Sequence, residues 1–308
     1  MAETSKRRMG TDKFRGWYYK SQGGGKTLVL IPALHNEGGK PAASVQILTG
    51  QGSWTVPVRP GCCEIDGKIP YAKMGSSLFS RYGVHLDLHA PGVSAVGELR
   101  FGPAARPAGD IMGPFGFLPG LECRHMLYSM GHRVDGEICL CGETYRFDGA
   151  RGYVEGDRGR SFPRWYFWTQ SGFRGGALML AAAEVPVGPL AVPGVIGVIR
   201  LGREELRLAT YLGARLVRRE PGLVQVRQGH LELTVWYAAA DDSPALRAPV
   251  AGEMSRQIRE QPAGPARYRL TRDGIPLLDY ATACASYESP PAAGTPWQFP
   301  HWLMGTAG

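Results

Sequence analysis

The sequence predicts an all-β protein built from two antiparallel β-barrel or sandwich units, duplicated and packed together. Three observations carry that reading. Gly (43) and Pro (24) make up about a fifth of the 308 residues, against a usual share of about 12%. Short runs rich in β-branched and aromatic residues follow one another, each bounded by Gly or Pro. Similar segments also recur in the same order in the two halves of the chain.

The elements follow in chain order. Thr27–Leu34, Ser44–Gly50, Ser53–Val58, Val84–Ala90 and Gly136–Phe147 read as strands in the first half. Val195–Gly202, Leu206–Gly213, His230–Ala238 and Ala266–Gly274 read as strands in the second. Val134-Asp135-Gly136 and Arg272-Asp273-Gly274 carry hairpin turn chemistry. Only Met254–Glu260 suggests a turn or two of helix. Gly23-Gly24-Gly25-Lys26-Thr27 ends like a P-loop, but it lacks the full spacing and lies between strands, so it reads as a hairpin turn.

Three echoes support duplication. Trp17-Tyr18-Tyr19-Lys20-Ser21-Gln22 parallels Trp165-Tyr166-Phe167-Trp168-Thr169-Gln170, 148 residues on. Gly83–Leu88 parallels Gln228–Leu233, and Gly152–Glu155 parallels Ala285–Glu288. The expected domains are residues 14–156 and 157–300, each large enough for its own core.

Composition excludes several classes. No stretch approaches the ~18–20 apolar residues of a membrane-spanning helix. The basic N-terminal segment has no apolar run behind it, so a cytoplasmic location is expected rather than secretion. The six cysteines contain no CxxC pair, which argues against a disulfide scaffold or a zinc ribbon. The formal charge of +8 is spread along the chain. It allows peripheral contact with an anionic membrane and argues against nucleic acid as a partner.

The aromatic strands are the first candidates for function. Alternation puts Trp165, Phe167 and Thr169 on one face and Tyr166, Trp168 and Gln170 on the other. Trp17 and Tyr19 alternate in the same way with Tyr18 and Lys20. With rings on both faces, one row belongs in a core, and the other either packs at a seam or lines an apolar pocket able to stabilise a carbocation. Tyr153–Asp157 is the densest polar segment. If extended, it sets Glu155 and Asp157 on one face. Two such carboxylates can divide roles, one keeping a proton for general-acid work. Alternatively, Arg158 and Arg160 neutralise them in an ion-paired turn. Glu122, Arg124 and Tyr128 share one parity and Cys123, His125 and Ser129 the other, which fits either a buried ion pair or a polar row poised against Glu155. His85, Asp87 and His89 read as solvent-facing alternation rather than a metal site. Cys139 and Cys141 read as two thiols on one face, buried as small hydrophobes.

These segments resemble the tocopherol cyclase family. The resemblance spans most of the chain and rests on Phe14–Lys20, Glu122–His125, Arg207–Ala214 and above all Gly152–Gln170. In that last motif Glu155, Gly159, Ser161, Phe162, Pro163 and Trp168 match the plant pattern, whereas Asp157 stands where those enzymes have Asn. The resemblance implies a lipocalin-like two-unit fold akin to carotenoid hydratases. It also implies closure of a chromanol ring, in which an acid protonates the prenyl alkene and the phenol oxygen captures the cation. No metal or redox cofactor is required. On this reading Glu155 donates the proton and Asp157 modulates it, while Trp17, Tyr18, Tyr153, Tyr166 and Trp168 line the substrate. Glu122, Arg124 and His125 hold its polar head. The partner is then a hydrophobic prenyl quinol or related isoprenoid. A non-catalytic carrier of a lipid or quinone is the alternative.

Overall fold

A computed structural model describes residues 12–118, 121–187, 190–238 and 243–288. Alternating apolar residues with glycine at the turns produce twenty-one strands and no α-helix among those residues. No helix of the described chain is long and apolar enough to cross a membrane.

The first eleven strands are β1 (Phe14–Gly23), β2 (Lys26–Glu37), β3 (Lys40–Thr49), β4 (Ser53–Val58), β5 (Cys63–Ile65), β6 (Tyr71–Met74), β7 (Ser77–Ser80), β8 (Gly83–Ala90), β9 (Val93–Phe101), β10 (Cys123–Leu140) and β11 (Glu143–Gly159). They pair antiparallel in the order β4-β3-β2-β1-β11-β10-β9-β8-β7-β6-β5. The described pairings leave β4 and β5 as the two ends, so they do not close the sheet into a ring.

The remaining strands are β12 (Tyr166–Phe173), β13 (Gly176–Val187), β14 (Leu190–Leu201), β15 (Glu204–Ala209), β16 (Arg215–Glu220), β17 (Leu223–Gln228), β18 (Leu231–Tyr237), β19 (Ala245–Val250), β20 (Glu253–Arg272) and β21 (Ile275–Glu288). Here the order is β15-β14-β13-β12-β21-β20-β18-β17-β16. The sequence of connections around β1 thus recurs around β12. Both sheets place the opening strand of the unit beside its last one.

Each unit has a core of its own. Trp17, Tyr19, Leu30, Ile47, Phe79, Val134 and Phe147 belong to the first. Phe167, Leu180, Leu208, Val226, Val235, Tyr268 and Tyr287 belong to the second. The compact units do not divide at 156/157, a point that falls inside β11. The first contains the chain up to Met112, then Leu118–Phe162 and Pro244–Ile258; the second contains Gly113–Phe117, Pro163–Ser243 and the chain from Arg259 on. Pro244–Ile258 is held to the first unit by paired bonds. Gln46 donates to the Arg247 carbonyl and accepts from its N–H, at 3.0 and 2.8 Å. The Glu253 carboxylate accepts the N–H groups of Gly38 and Gly39. That β2–β3 turn has φ of 58° and 75°, a left-handed conformation that suits glycine.

Several local expectations change. Gly136–Phe147 is a hairpin rather than one strand, because the chain turns at Cys141 (φ 51°) and Gly142 (φ 86°). Cys141 is therefore an exposed turn residue, and Cys139 is half-buried, so the two are not a pair of buried thiols. Gly136 sits inside β10 at a register shift, so Val134-Asp135-Gly136 is a bulge rather than a turn. Met254–Glu260 is extended within β20. The hairpin at Asp273-Gly274 forms as expected. His85 and His89 are exposed and pair with Glu98 and Asp87.

Candidate functional site

The site begins with three adjacent strands, β1, β11 and β10. Residues facing the first core alternate with residues facing away from it. Trp17 and Tyr19 of β1, Val154 of β11 and Met126 of β10 turn to the core. Tyr18 and Lys20, Tyr153, Glu155 and Asp157, and Cys123 and His125 therefore lie on the opposite face. Register brings them together: Tyr18 pairs with Glu155 and Lys20 with Tyr153, while His125 pairs with Asp157.

His125 is the centre of this cluster. Its Nδ1 lies 2.9 Å from Asp157 Oδ1. Its Nε2 lies 3.2 Å from Glu155 Oε2, an ion-pair distance at which the ring N–H is not well aligned as a hydrogen bond. Tyr153 Oη donates to the same Glu155 oxygen, and Cys123 Sγ donates to Asp157 Oδ1 at 3.3 Å. Tyr18 meets the Tyr153 ring edge-on, with centroids 6.3 Å apart. Glu155 is only 5% exposed, whereas the Asp157 side chain keeps 22% of its surface.

The electrostatics follow from burial and from these two carboxylates. Burial disfavours a charged His125, but the attraction of Asp157 and Glu155 outweighs it and raises the imidazole well above its usual value. Burial and the Glu155 carboxylate push the Tyr153 phenol up. Burial and Asp157 do the same to the Cys123 thiol. Tyrosine and cysteine thus stay protonated and serve as donors to the carboxylates.

Donor atoms of His125, Glu155 and Asp157 lie within 4.8 Å of one another, a composition able to hold a cation. The ring, however, turns opposite edges to the two carboxylates. One ion cannot take a ring nitrogen and both carboxylates without that ring reorienting. One hydrogen bond to Asp157 and an ion-pair distance to Glu155 are an arrangement that suits a doubly protonated imidazole.

The other sequence candidates fall elsewhere. Trp17 is 1% exposed within the first core and donates to the Asp66 carbonyl, so its ring lies on the far side of the sheet from Glu155. Arg124 shares that far side by alternation, paired in register with Arg158. Arg158 binds Asp12 and does not form the expected ion pair with the neighbouring acids. Glu122 precedes β10, and its carbonyl accepts the N–H groups of Arg160 and Ser161. Tyr166 and Trp168 belong to the second unit, where Tyr166 Oη donates to Glu288 Oε2 at 2.5 Å and Trp168 is buried, paired in register with Glu288. The sequence reading passed over Lys20, which is 3% exposed on the same face as Glu155. A lysine inside an aromatic strand with two buried faces was the available signal.

No family model matches the chain, and no curated protein does. Solved structures do match. A candidate AttH from Nitrosomonas europaea aligns at TM-score 0.52 with 11% identity, over 93% of this chain and 95% of that one. Kievitone hydratase from Nectria haematococca aligns at 0.51 with 11% identity, over 93% and 92%. CghA, solved with Sch210972, aligns at 0.54 with 9% identity, over 92% and 89%. At such identities the likeness establishes a shared fold along nearly the whole of both chains.

Proposed function

We propose that the protein is an acid catalyst acting on an alkene: it closes a ring on, or hydrates, a prenylated hydroquinone or related isoprenoid. The observation that carries this reading is Glu155, a carboxyl group removed from water and held by Tyr153 and His125 beside the Tyr18 ring. Protonating an alkene needs an acid shielded from competing water, with polarisable rings near the developing cation. Glu155 gives its proton to the alkene carbon. A phenol or water oxygen then attacks the cation, and its proton returns to Glu155. No metal or redox step enters this sequence. A fold shared with a hydratase is consistent with such chemistry, although fold does not by itself fix activity.

Tyr166 and Trp168 stay proposed ligand contacts of the second unit, the half-buried Tyr166 and the buried Trp168 both lying beside Glu288. The common strand order around β1 and β12 supports reading the units as duplicated lipocalin-like halves. A hydrophobic small molecule is the proposed partner and the cytoplasm the proposed location.

Turnover of a prenylated hydroquinone by the full chain tests the reading. Glu155→Gln keeps the shape and loses the transferable proton, and should lower kcat by at least about 100-fold. Product formation by this variant at the wild-type rate overturns the assignment. Tight binding with no product from either protein supports a carrier instead.

A further inference from the structure

We propose that His125, bridging Asp157 and Glu155 as an imidazolium, is the positioning residue that fixes which oxygen of Glu155 carries the reactive proton and stabilises the carboxylate left when it departs. The inference rests on the acid-catalysis reading and assigns a role to the pair beside the acid. Tyr153 Oη and His125 Nε2 converge on one oxygen, Glu155 Oε2. An oxygen already facing two donors is the wrong one to bear a hydrogen, so the transferable proton sits on Oε1. Asp157 takes Nδ1–H at 2.9 Å, which fixes the ring with Nε2 at ion-pair distance, 3.2 Å, from Glu155 and favours the charged ring.

The proton inventory closes. The Oε1–H bond breaks as a C–H bond forms on the alkene. The new carboxylate is held on Oε2 by His125 and Tyr153, neither of which gives up its own proton. When the attacking oxygen bonds to the cation, its hydrogen returns to Oε1. Preorganised donors aimed at a charge that develops during reaction are among the largest contributions to catalysis. The titratable groups on the His125 face are Cys123 on β10, Tyr153, Glu155 and Asp157 on β11, and Tyr18 and Lys20 on β1. Burial opposes the charged ring, while Asp157, and Glu155 once its proton has left, favour it.

Histidine-labelled protein, followed by nitrogen NMR from pH 5 to 9 without substrate, tests the bridge independently of turnover. His125→Gln assigns the signal among the seven histidines. Both nitrogens of His125 should read as protonated at pH 7, and Asp157→Asn should move that titration down by about one pH unit or more. A neutral single tautomer at pH 7 in the wild type overturns the proposal, as does a metal-type shift on adding equimolar zinc to the protein.

In turnover, Asp157→Asn should lower kcat about tenfold or more with KM nearly unchanged. It should also draw the alkaline limb of the pH profile downward, with partial rescue by Asp157→Glu. An alkaline limb that does not move between wild type and Asp157→Asn overturns the proposal too. If Asp157→Asn does not fold, Asp157→Glu serves for the same two measurements. Absence of turnover by the wild type removes the parent reading, while the NMR result still decides whether the bridge exists.

Discussion

Two histidines on β10 show how a few ångströms of environment set opposite behaviour. His132 is buried against Phe101, with ring centroids 4.6 Å apart. Its Nδ1 meets Ser129 Oγ and its Nε2 has no partner. Burial without a counter-charge pushes its value down to about 4. The unfolded chain, with a histidine near 6.5, binds that proton where the folded chain does not. Stability therefore rises with pH between about 4 and 6.5, and this residue alone should remove roughly 2–3 kcal/mol on going from pH 7 to 4.5. Urea melts at those two pH values should show the loss in the wild type and a smaller one in His132→Gln. His125 has the reverse sign. Its raised value means that its contribution is full below about 6.5 and disappears as the pH climbs through the higher folded value. Sequence marked His125 only as a head-group contact. Its partner Asp157 lies 32 positions away, and strand register, invisible to local spacing, brings them together.

At the level of the strand, alternation was the legible part. It separated Tyr18 from Trp17 and Trp168 from Phe167, and it placed Glu155 and Asp157 on one face; what it did not supply was which face belongs to the core. The glycines of β11 answer that. A Cβ on Gly156 would sit 2.7 Å from the Trp17 ring, and one on Gly152 would sit 2.1 Å from His132 Nε2. At both, a buried ring lies close against the β11 backbone. Gly156→Ala and Gly152→Ala should each cost about 1–3 kcal/mol by overpacking. The Gly152 penalty should shrink when His132→Ala is added, as a double-mutant cycle of denaturant midpoints would show. The hairpin at Cys141-Gly142 escaped notice because cysteine carries no turn preference. Met254–Glu260 misled because its polar residues show little alternation, whereas pairing along β20 holds it extended.

Across the whole chain, the strand order common to both units is a plainer likeness between them than the sequence echoes. The β1–β2 turn at Gly24-Gly25 and the β12–β13 turn at Arg174-Gly175 lie 150 residues apart, two more than the aromatic echo implied. Glu155 and Glu288 lie at similar places in the two strand orders, each across from a ring of the opening strand. The echo linking Gly83–Leu88 with Gln228–Leu233 joins strands at different places in the two orders, β8 and β18. Division of the chain into units was the least legible feature, since Gly113–Phe117 and Pro244–Ile258 each join the unit remote in sequence. In the second unit Phe115 meets Tyr211 edge-on, at 5.5 Å. Gln46→Leu should cost about 1–3 kcal/mol by leaving the Arg247 amide group unpaired, and hydrogen exchange should accelerate along β19. The same attachment sets a rule for dissecting the gene. A fragment stopped after codon 162 would leave Gln46, Ser53 and the Gly38-Gly39 turn without the atoms they bind, and only a peptide covering 244–258, supplied in trans, would complete it.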